Sequence, residues 1–149
     1  MEPRINLFAD APDLVNRFIE FSNAIERGGL DHTLLELVKV RASQINGCAN
    51  CLNIHTSAAR KAGESEQRLH LVAAWQESPL FTERERAALA WAEHLTLIAD
   101  RGAPDAVYAE LDQHFTKRQQ AQLTMVINII NSWNRLAGGF RLYDPSLGW

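Results

Sequence analysis

Apolar residues recur three and four positions apart along most of the chain, and no stretch alternates apolar and polar as a half-buried strand would. That pattern predicts an all-α helical bundle of about six to seven helices. The first runs from about Pro12 to Arg27, where Gly28-Gly29 stops it, with Leu14, Phe18, Phe21 and Ile25 as its apolar stripe. The second starts between Asp31 and Thr33, where Thr33-x-x-Glu36 matches a capping box. It carries Leu34, Leu37, Val38 and Ile45 on one side and ends at Asn46-Gly47. The third begins with Cys48 and continues through His55 and Ala59 to Ala62-Gly63.

Ser65 then caps a shorter segment that ends near Trp75, and Ser78-Pro79 breaks the chain. Thr82-x-x-Glu85 opens a long helix through Ala88, Trp91, Leu95 and Ile98, closed by Arg101-Gly102-Ala103-Pro104. Another helix spans Pro104 to Phe115. Thr116-x-x-Gln119 opens the last, which carries Leu123, Val126, Ile127, Ile130 and Trp133 and ends at Gly138-Gly139. No repeat, low-complexity segment or linker interrupts the pattern, so residues 1–149 read as a single helical domain. The tail from Phe140 to Trp149 is aromatic and apolar, suited to packing on its own subunit or on a neighbour.

The 149 residues carry 15 Lys and Arg against 18 Asp and Glu, a net charge of −3, with no concentrated basic run. Nucleic acid and anionic membranes are therefore not expected partners. No segment approaches the roughly 20 apolar residues that span a bilayer, and a cytoplasmic protein is expected.

Chemistry concentrates on the two cysteines, Cys48-Ala49-Asn50-Cys51, with His55 after them and Glu36 before. A bridge across so short a loop removes little entropy from the unfolded chain, so its use would be to open and close. Thiol attack requires a thiolate, and an imidazole with a carboxylate can remove and relay the proton. If the second and third helices form an antiparallel hairpin turning at Asn46-Gly47, Glu36 and His55 both lie roughly 12 to 15 Å from the turn and their side chains can meet. On the third helix Cys48, Cys51 and His55 fall on one stripe. The helix N-terminus favours a thiolate at Cys48, while Cys51 lies nearer His55, so either can be the nucleophile. A helical i, i+3 pair has Cβ atoms ~5 to 6 Å apart against about 4 Å in a disulfide, so oxidation is expected to distort the first turn and leave a readily reduced bridge.

Glu36, eleven residues, Cys48-x-x-Cys51, three residues and His55, set within Leu37-Val38-Lys39-Val40-Arg41-Ala42-Ser43-Gln44-Ile45-Asn46-Gly47, resembles the AhpD-like branch of the carboxymuconolactone decarboxylase superfamily. The segments Glu83 to Trp91 and Ile127 to Leu136 are similar to that branch as well. The resemblance implies an alkylhydroperoxidase fold, assembly as homo-oligomeric trimers or hexamers, thiol peroxidase activity on organic hydroperoxides or hydrogen peroxide, and no cofactor or metal. It implies Cys51 as the peroxidatic cysteine and Cys48 as the resolving cysteine, attacked by a lipoyl-bearing or thioredoxin-like dithiol reductant. Glu36 and His55 become its proton relay. The best-characterised relatives carry a second histidine just before the latter cysteine, where this chain has Asn50, which cannot act as a base.

Other readings stand beside this one. The cysteines can be two small buried apolar residues, or Cys48, Cys51, His55 and Glu36 can hold zinc. Glu36 can cap with Thr33 or serve the relay, but not both. The same dithiol can serve a non-catalytic redox sensor or interaction protein, and decarboxylation of a lactone acid follows from the wider superfamily, whose decarboxylases do not use this cysteine pair. His32, His70, His94 and His114 read as surface or structural histidines, Trp75, Trp91 and Trp133 as core or interface, and Glu83 to Arg86 as a solvated first turn. Asn128, Asn131 and Asn134 form a polar stripe, either solvated or bordering an interface or pocket.

Overall fold

A computed structural model describes residues 2–143. Among them are nine α-helices: α1 (Leu7–Asp10), α2 (Pro12–Glu26), α3 (His32–Asn46), α4 (Ala49–Lys61), α5 (Glu66–Leu71), α6 (Glu83–Thr96), α7 (Ile98–Arg101), α8 (Asp105–His114) and α9 (Lys117–Phe140), with a 3-10 segment at Val72–Glu77 after α5. No strand occurs among the described residues. The excess over six or seven has two local causes. Asn6 caps the short α1 through a side chain that accepts from Ala9 N. Leu97, at φ −103° and ψ 33°, breaks what the apolar spacing reads as one long helix into α6 and α7.

The capping boxes at Thr82/Glu85 and Thr116/Gln119 both form, and Ser65 caps α5. Gly138 and Gly139 do not end α9. Both stay helical, and the stop falls at Arg141, whose left-handed φ of 57° lets Leu142 N reach Ala137 O. Of the tail expected to pack, residues 144–149 lie outside the described range.

The centre of the bundle is α3, which packs against α4, α6 and α9. Its burial is all round rather than one-sided: Leu34, Leu35, Leu37, Val38, Val40 and Ala42 face different neighbours, and Ile45 is only half-buried. One core cluster joins α3 to α6, α8 and α9 through Leu35, Val38, Ala88, Leu111, Leu123 and Ile127. A second joins α3 to α4, α5 and the 3-10 segment through Leu37, Val40, Ala59, Val72 and Trp75. Trp75 and Trp91 are core residues as expected. Glu83 to Arg86 is more than a solvated turn: Glu85 pairs with Arg68, Arg84 stacks on Phe115, and Arg86 donates to Trp75 O, Gln76 O and Ser78 O.

The stripe assigned to α2 is corrected. Leu14 and Phe21 are exposed, whereas Val15 and Ser22 are buried. The helix meets the bundle along α9 and not across its whole apolar arc. At its C-terminus the chain passes so close to α9 that Gln122 Oε1 accepts from Leu30 N at 3.1 Å and Gln122 Nε2 donates to Ile25 O at 2.9 Å. Gly28 leaves room for that side chain, since a Cβ there would lie 2.6 Å from Gln122 Cδ.

Candidate functional site

The site is built on the α3–α4 hairpin. Gly47, at φ 64° and ψ 32°, takes the left-handed conformation that closes α3, and Cys48 N donates to Ser43 O at 3.0 Å. The asparagines of α9 hold this turn in place. Asn46 Nδ2 donates to Asn131 Oδ1 at 2.9 Å and Asn134 Oδ1 at 2.8 Å, while Asn134 Nδ2 donates to Ser43 Oγ and Asn131 Nδ2 to Thr96 Oγ1. Asn131 and Asn134 are therefore buried and structural, and Asn128 alone of the stripe is exposed.

Cys48 is not on the helix. It is the N-cap of α4, with φ −85° and ψ 94°, and its sulfur accepts from Cys51 N at 3.3 Å. The two cysteines are joined as a disulfide with Cα atoms 5.3 Å apart, and Leu52 N still donates to Cys48 O at 2.9 Å. The expected distortion of the first turn is absent because the N-cap backbone already departs from the helical path. Both residues are buried, packed with Ala42, Ile130 and Ala137 and flanked by Trp133 and Leu142.

Between the two helices of the hairpin, His55 Nδ1 and Glu36 Oε2 lie 2.9 Å apart. Glu36 has turned away from the α3 N-terminus, where Asp31, not Thr33, is the N-cap and accepts from Leu34 N at 3.0 Å. The other carboxylate oxygen of Glu36 meets Lys39 Nζ at 2.5 Å, and Lys39 Nζ in turn reaches Glu26 Oε1 of α2 at 3.1 Å. Burial pushes the Glu36 carboxyl up, but the His55 hydrogen bond and the Lys39 ammonium outweigh it and hold the pKa below the ordinary 4.5. Glu36 is thus an anion that can only accept, so neutral His55 must donate from Nδ1 and keep its lone pair on Nε2.

The proposed zinc set does not gather around one point: the sulfurs bond each other, and Glu36 and His55 bond each other. Among the described residues the metal-capable side chains that come together are Glu26, His32 and Glu36, and the Lys39 ammonium already sits against both carboxylates. His32 is 3.8 Å from Glu36 and mostly exposed; His70 is exposed, and His94 Nδ1 lies 3.1 Å from Gly102 O. Lys39 and Glu26 were not singled out from the sequence. The available signal was a lysine inside the apolar run Leu37-Val38-Lys39-Val40, three residues after Glu36.

Two cavities meet at the cysteines. One, of about 520 Å³, is lined by Cys51, His55, Lys39 and Glu26 together with an apolar wall that includes Phe8, Ile19, Ile54, Ile130 and Trp133. Trp133 is fixed there against Phe18, ring centroids 4.8 Å apart. The other, of about 530 Å³, is lined by Gly47, Cys48, Ala49, Gly138 and Arg141. Asn50, Ala137, Leu142 and Tyr143 border both. Cys51 thus lines one cavity and Cys48 the other.

Residues 12–94, which carry Glu36, both cysteines and His55, match the model of the carboxymuconolactone decarboxylase family. The chain belongs to that family. YdfG of Bacillus subtilis (strain 168), an uncharacterized protein, is 39% identical over 137 residues, 92% of this chain and 93% of its own. A solved structure, ATU0492 of Agrobacterium tumefaciens, a protein of unknown function proposed as an AhpD antioxidant defence protein, superposes with a TM-score of 0.92 at 40% identity, covering 96% of this chain and 99% of the other. The debrominase Bmp8 shares the fold, with a TM-score of 0.83 at 19% identity over 94% of this chain and 76% of its own. The AhpD-like branch of the family is thereby the one to which the chain's fold and motif correspond. No helix among the described residues is long and apolar enough to cross a membrane.

Proposed function

We propose that this protein is a thiol-dependent peroxidase that reduces organic hydroperoxides or hydrogen peroxide. The observation that carries the reading is the arrangement of one cavity: a buried cysteine and a histidine held in one tautomer by a buried carboxylate, inside apolar walls wide enough for an alkyl chain or aryl ring. In the reduced protein His55 Nε2 takes the Cys51 proton. The thiolate attacks the terminal peroxide oxygen, the O–O bond breaks, and the departing alkoxide takes the proton back from His55, leaving an alcohol and a Cys51 sulfenic acid. Cys48 sulfur then attacks Cys51 sulfur, water leaves, and the disulfide forms. A dithiol reductant, lipoyl-bearing or thioredoxin-like, enters the other cavity, attacks Cys48 and leaves as its own disulfide. Neither protons nor electrons are left over.

Such a cycle belongs to a reducing compartment, which supports a cytoplasmic setting. The exposed apolar side chains Phe8, Leu14, Phe21 and Met125 support homo-oligomerisation, as a trimer or hexamer in line with the AhpD-like branch. The test is to add a slight excess of cumene hydroperoxide to fully reduced protein and follow free thiols and intact mass. Loss of both thiols and of two hydrogens is expected, abolished by Cys51→Ser. Thiols that stay free in the wild type would end the peroxidase reading. A single oxidation that a dithiol donor cannot turn over would favour a redox sensor, for which Asn50 in place of a second basic histidine is the supporting feature.

A further inference from the structure

Lys39 is a lysine with a side chain only 5% exposed, on the wall of the Cys51 cavity, clamped between carboxylates from two helices. A buried ammonium is costly unless paired, and here it is paired twice, with Glu36 at 2.5 Å and Glu26 at 3.1 Å. The groups facing Glu36 are Lys39 and His32 from α3, His55 from α4 and Glu26 of α2, whose carboxylate lies within 4.8 Å of it and shares the Lys39 ammonium. The α9 side of the cavity contributes Ile129, Ile130, Trp133 and Ala137, none of which is charged. Among the described residues Lys39 is therefore the one ammonium or guanidinium set against Glu36, its other cation-capable neighbours being the largely exposed His32 and His55.

We propose that Lys39 is a positioning residue that sets the tautomer of His55: its ammonium keeps Glu36 a pure acceptor, which pins the His55 proton on Nδ1 and leaves Nε2 bare to receive the Cys51 proton. This rests on the peroxidase reading of the same site. Without Lys39 the buried carboxylate has two ways to lose its charge imbalance. It takes up a proton and donates it to His55 Nδ1, or it draws a second proton onto His55. Both put a proton on Nε2, and both remove the base. Glu26, partly exposed at the far side of Lys39, sets how much of the ammonium is left for Glu36.

The test uses the full chain in Lys39→Met, Lys39→Arg and Glu26→Gln forms. The ¹⁵N shifts of the His55 ring, read near neutral pH, report the tautomer directly and need neither peroxide nor a free thiol. A bare Nε2 is expected in the wild type and Lys39→Arg, and a protonated Nε2 in Lys39→Met. In the reduced proteins, the pH midpoint for alkylation of Cys51 by iodoacetamide, separated from Cys48 by peptide mapping, is expected to rise by about one unit in Lys39→Met where the proton goes to Glu36 and a buried unit charge is lost, and to stay near the wild-type value where it goes to His55, whose imidazolium replaces that charge. Glu26→Gln should lower it or leave it in place. If Lys39→Met does not fold, Lys39→Gln replaces it. A lowered melting temperature with the wild-type tautomer and midpoint would make Lys39 a structural pin and overturn the proposal, as would a Glu26→Gln midpoint raised as far as that of Lys39→Met. Expected shifts in a protein that ignores peroxide would instead refute the peroxidase reading alone.

Discussion

Glu36→Gln removes a charge and almost no volume, which makes it the sharpest test of the buried relay. Glu36 is 2% exposed, and its two oxygens serve Lys39 at 2.5 Å and His55 at 2.9 Å. In the variant the amide oxygen must stay with Lys39, which can only donate, so the amide NH₂ turns to His55 Nδ1. His55 then accepts at Nδ1 and carries its proton on Nε2, the wrong tautomer for a base. General-base assistance is worth ~10²–10⁴ in rate, so the second-order rate constant with cumene hydroperoxide is expected to fall about a hundredfold or more. Removing one partner of a buried ion pair costs ~3–5 kcal/mol, but Lys39 retains Glu26 and an amide oxygen, so a loss of about 2 kcal/mol is expected. The pH dependence follows from the lowered Glu36 pKa: its stabilisation is present above 4.5 and is lost as pH falls through the lower folded value. The stability gap between wild type and variant should thus be constant near neutrality and shrink below about pH 4.5. Stopped-flow tryptophan fluorescence of pre-reduced protein, with Trp133 lining the cavity, gives the rate, and urea unfolding at pH 7 and pH 4 gives the gap. A variant that reacts within threefold of wild type, or a gap that widens in acid, would refute the relay.

Two further outcomes follow from the geometry. Cys48→Ser should still consume one equivalent of hydroperoxide, but Cys51 should stop at the sulfenic acid, seen as one added oxygen by mass and trapped by dimedone; a Cys51 thiol left free with the hydroperoxide unconsumed would mean that the roles of the two cysteines are misassigned. Gly28→Ala should force Gln122 out of its hydrogen bonds to Leu30 N and Ile25 O and cost about 1–2 kcal/mol, read as a lower urea midpoint with peroxide reactivity of the folded protein unchanged.

The residues of the candidate site were legible because their spacing is local. Cys48, Cys51 and His55 lie within eight positions, and a turn at Asn46-Gly47 suffices to bring Glu36 opposite His55. The helix starts at Thr82 and Thr116 were equally legible, because a capping box is a four-residue device. Where two local devices compete, spacing does not choose: Thr33-x-x-Glu36 matches a capping box, and only the buried Lys39 and His55 drew Glu36 inward and left the cap to Asp31. The exposed Leu14 and Phe21 show the same limit, since an apolar stripe states what a helix can bury and not what stands opposite it.

Neighbours within about two helical turns specify the helix starts at Thr82 and Thr116, the turn at Asn46-Gly47 and the gathering of Cys48, Cys51 and His55, and these were readable along the chain. Tertiary structure alone decided the rest. It placed Asn131 and Asn134 of α9 against the turn before Cys48, set Cys51 and Cys48 in the walls of separate cavities, and inserted Lys39 between carboxylates of α2 and α3. The physical reason is that burial, pairing and pKa depend on which distant surfaces meet. A lysine at the same helical position would be an ordinary solvated cation if α2 and α4 packed elsewhere.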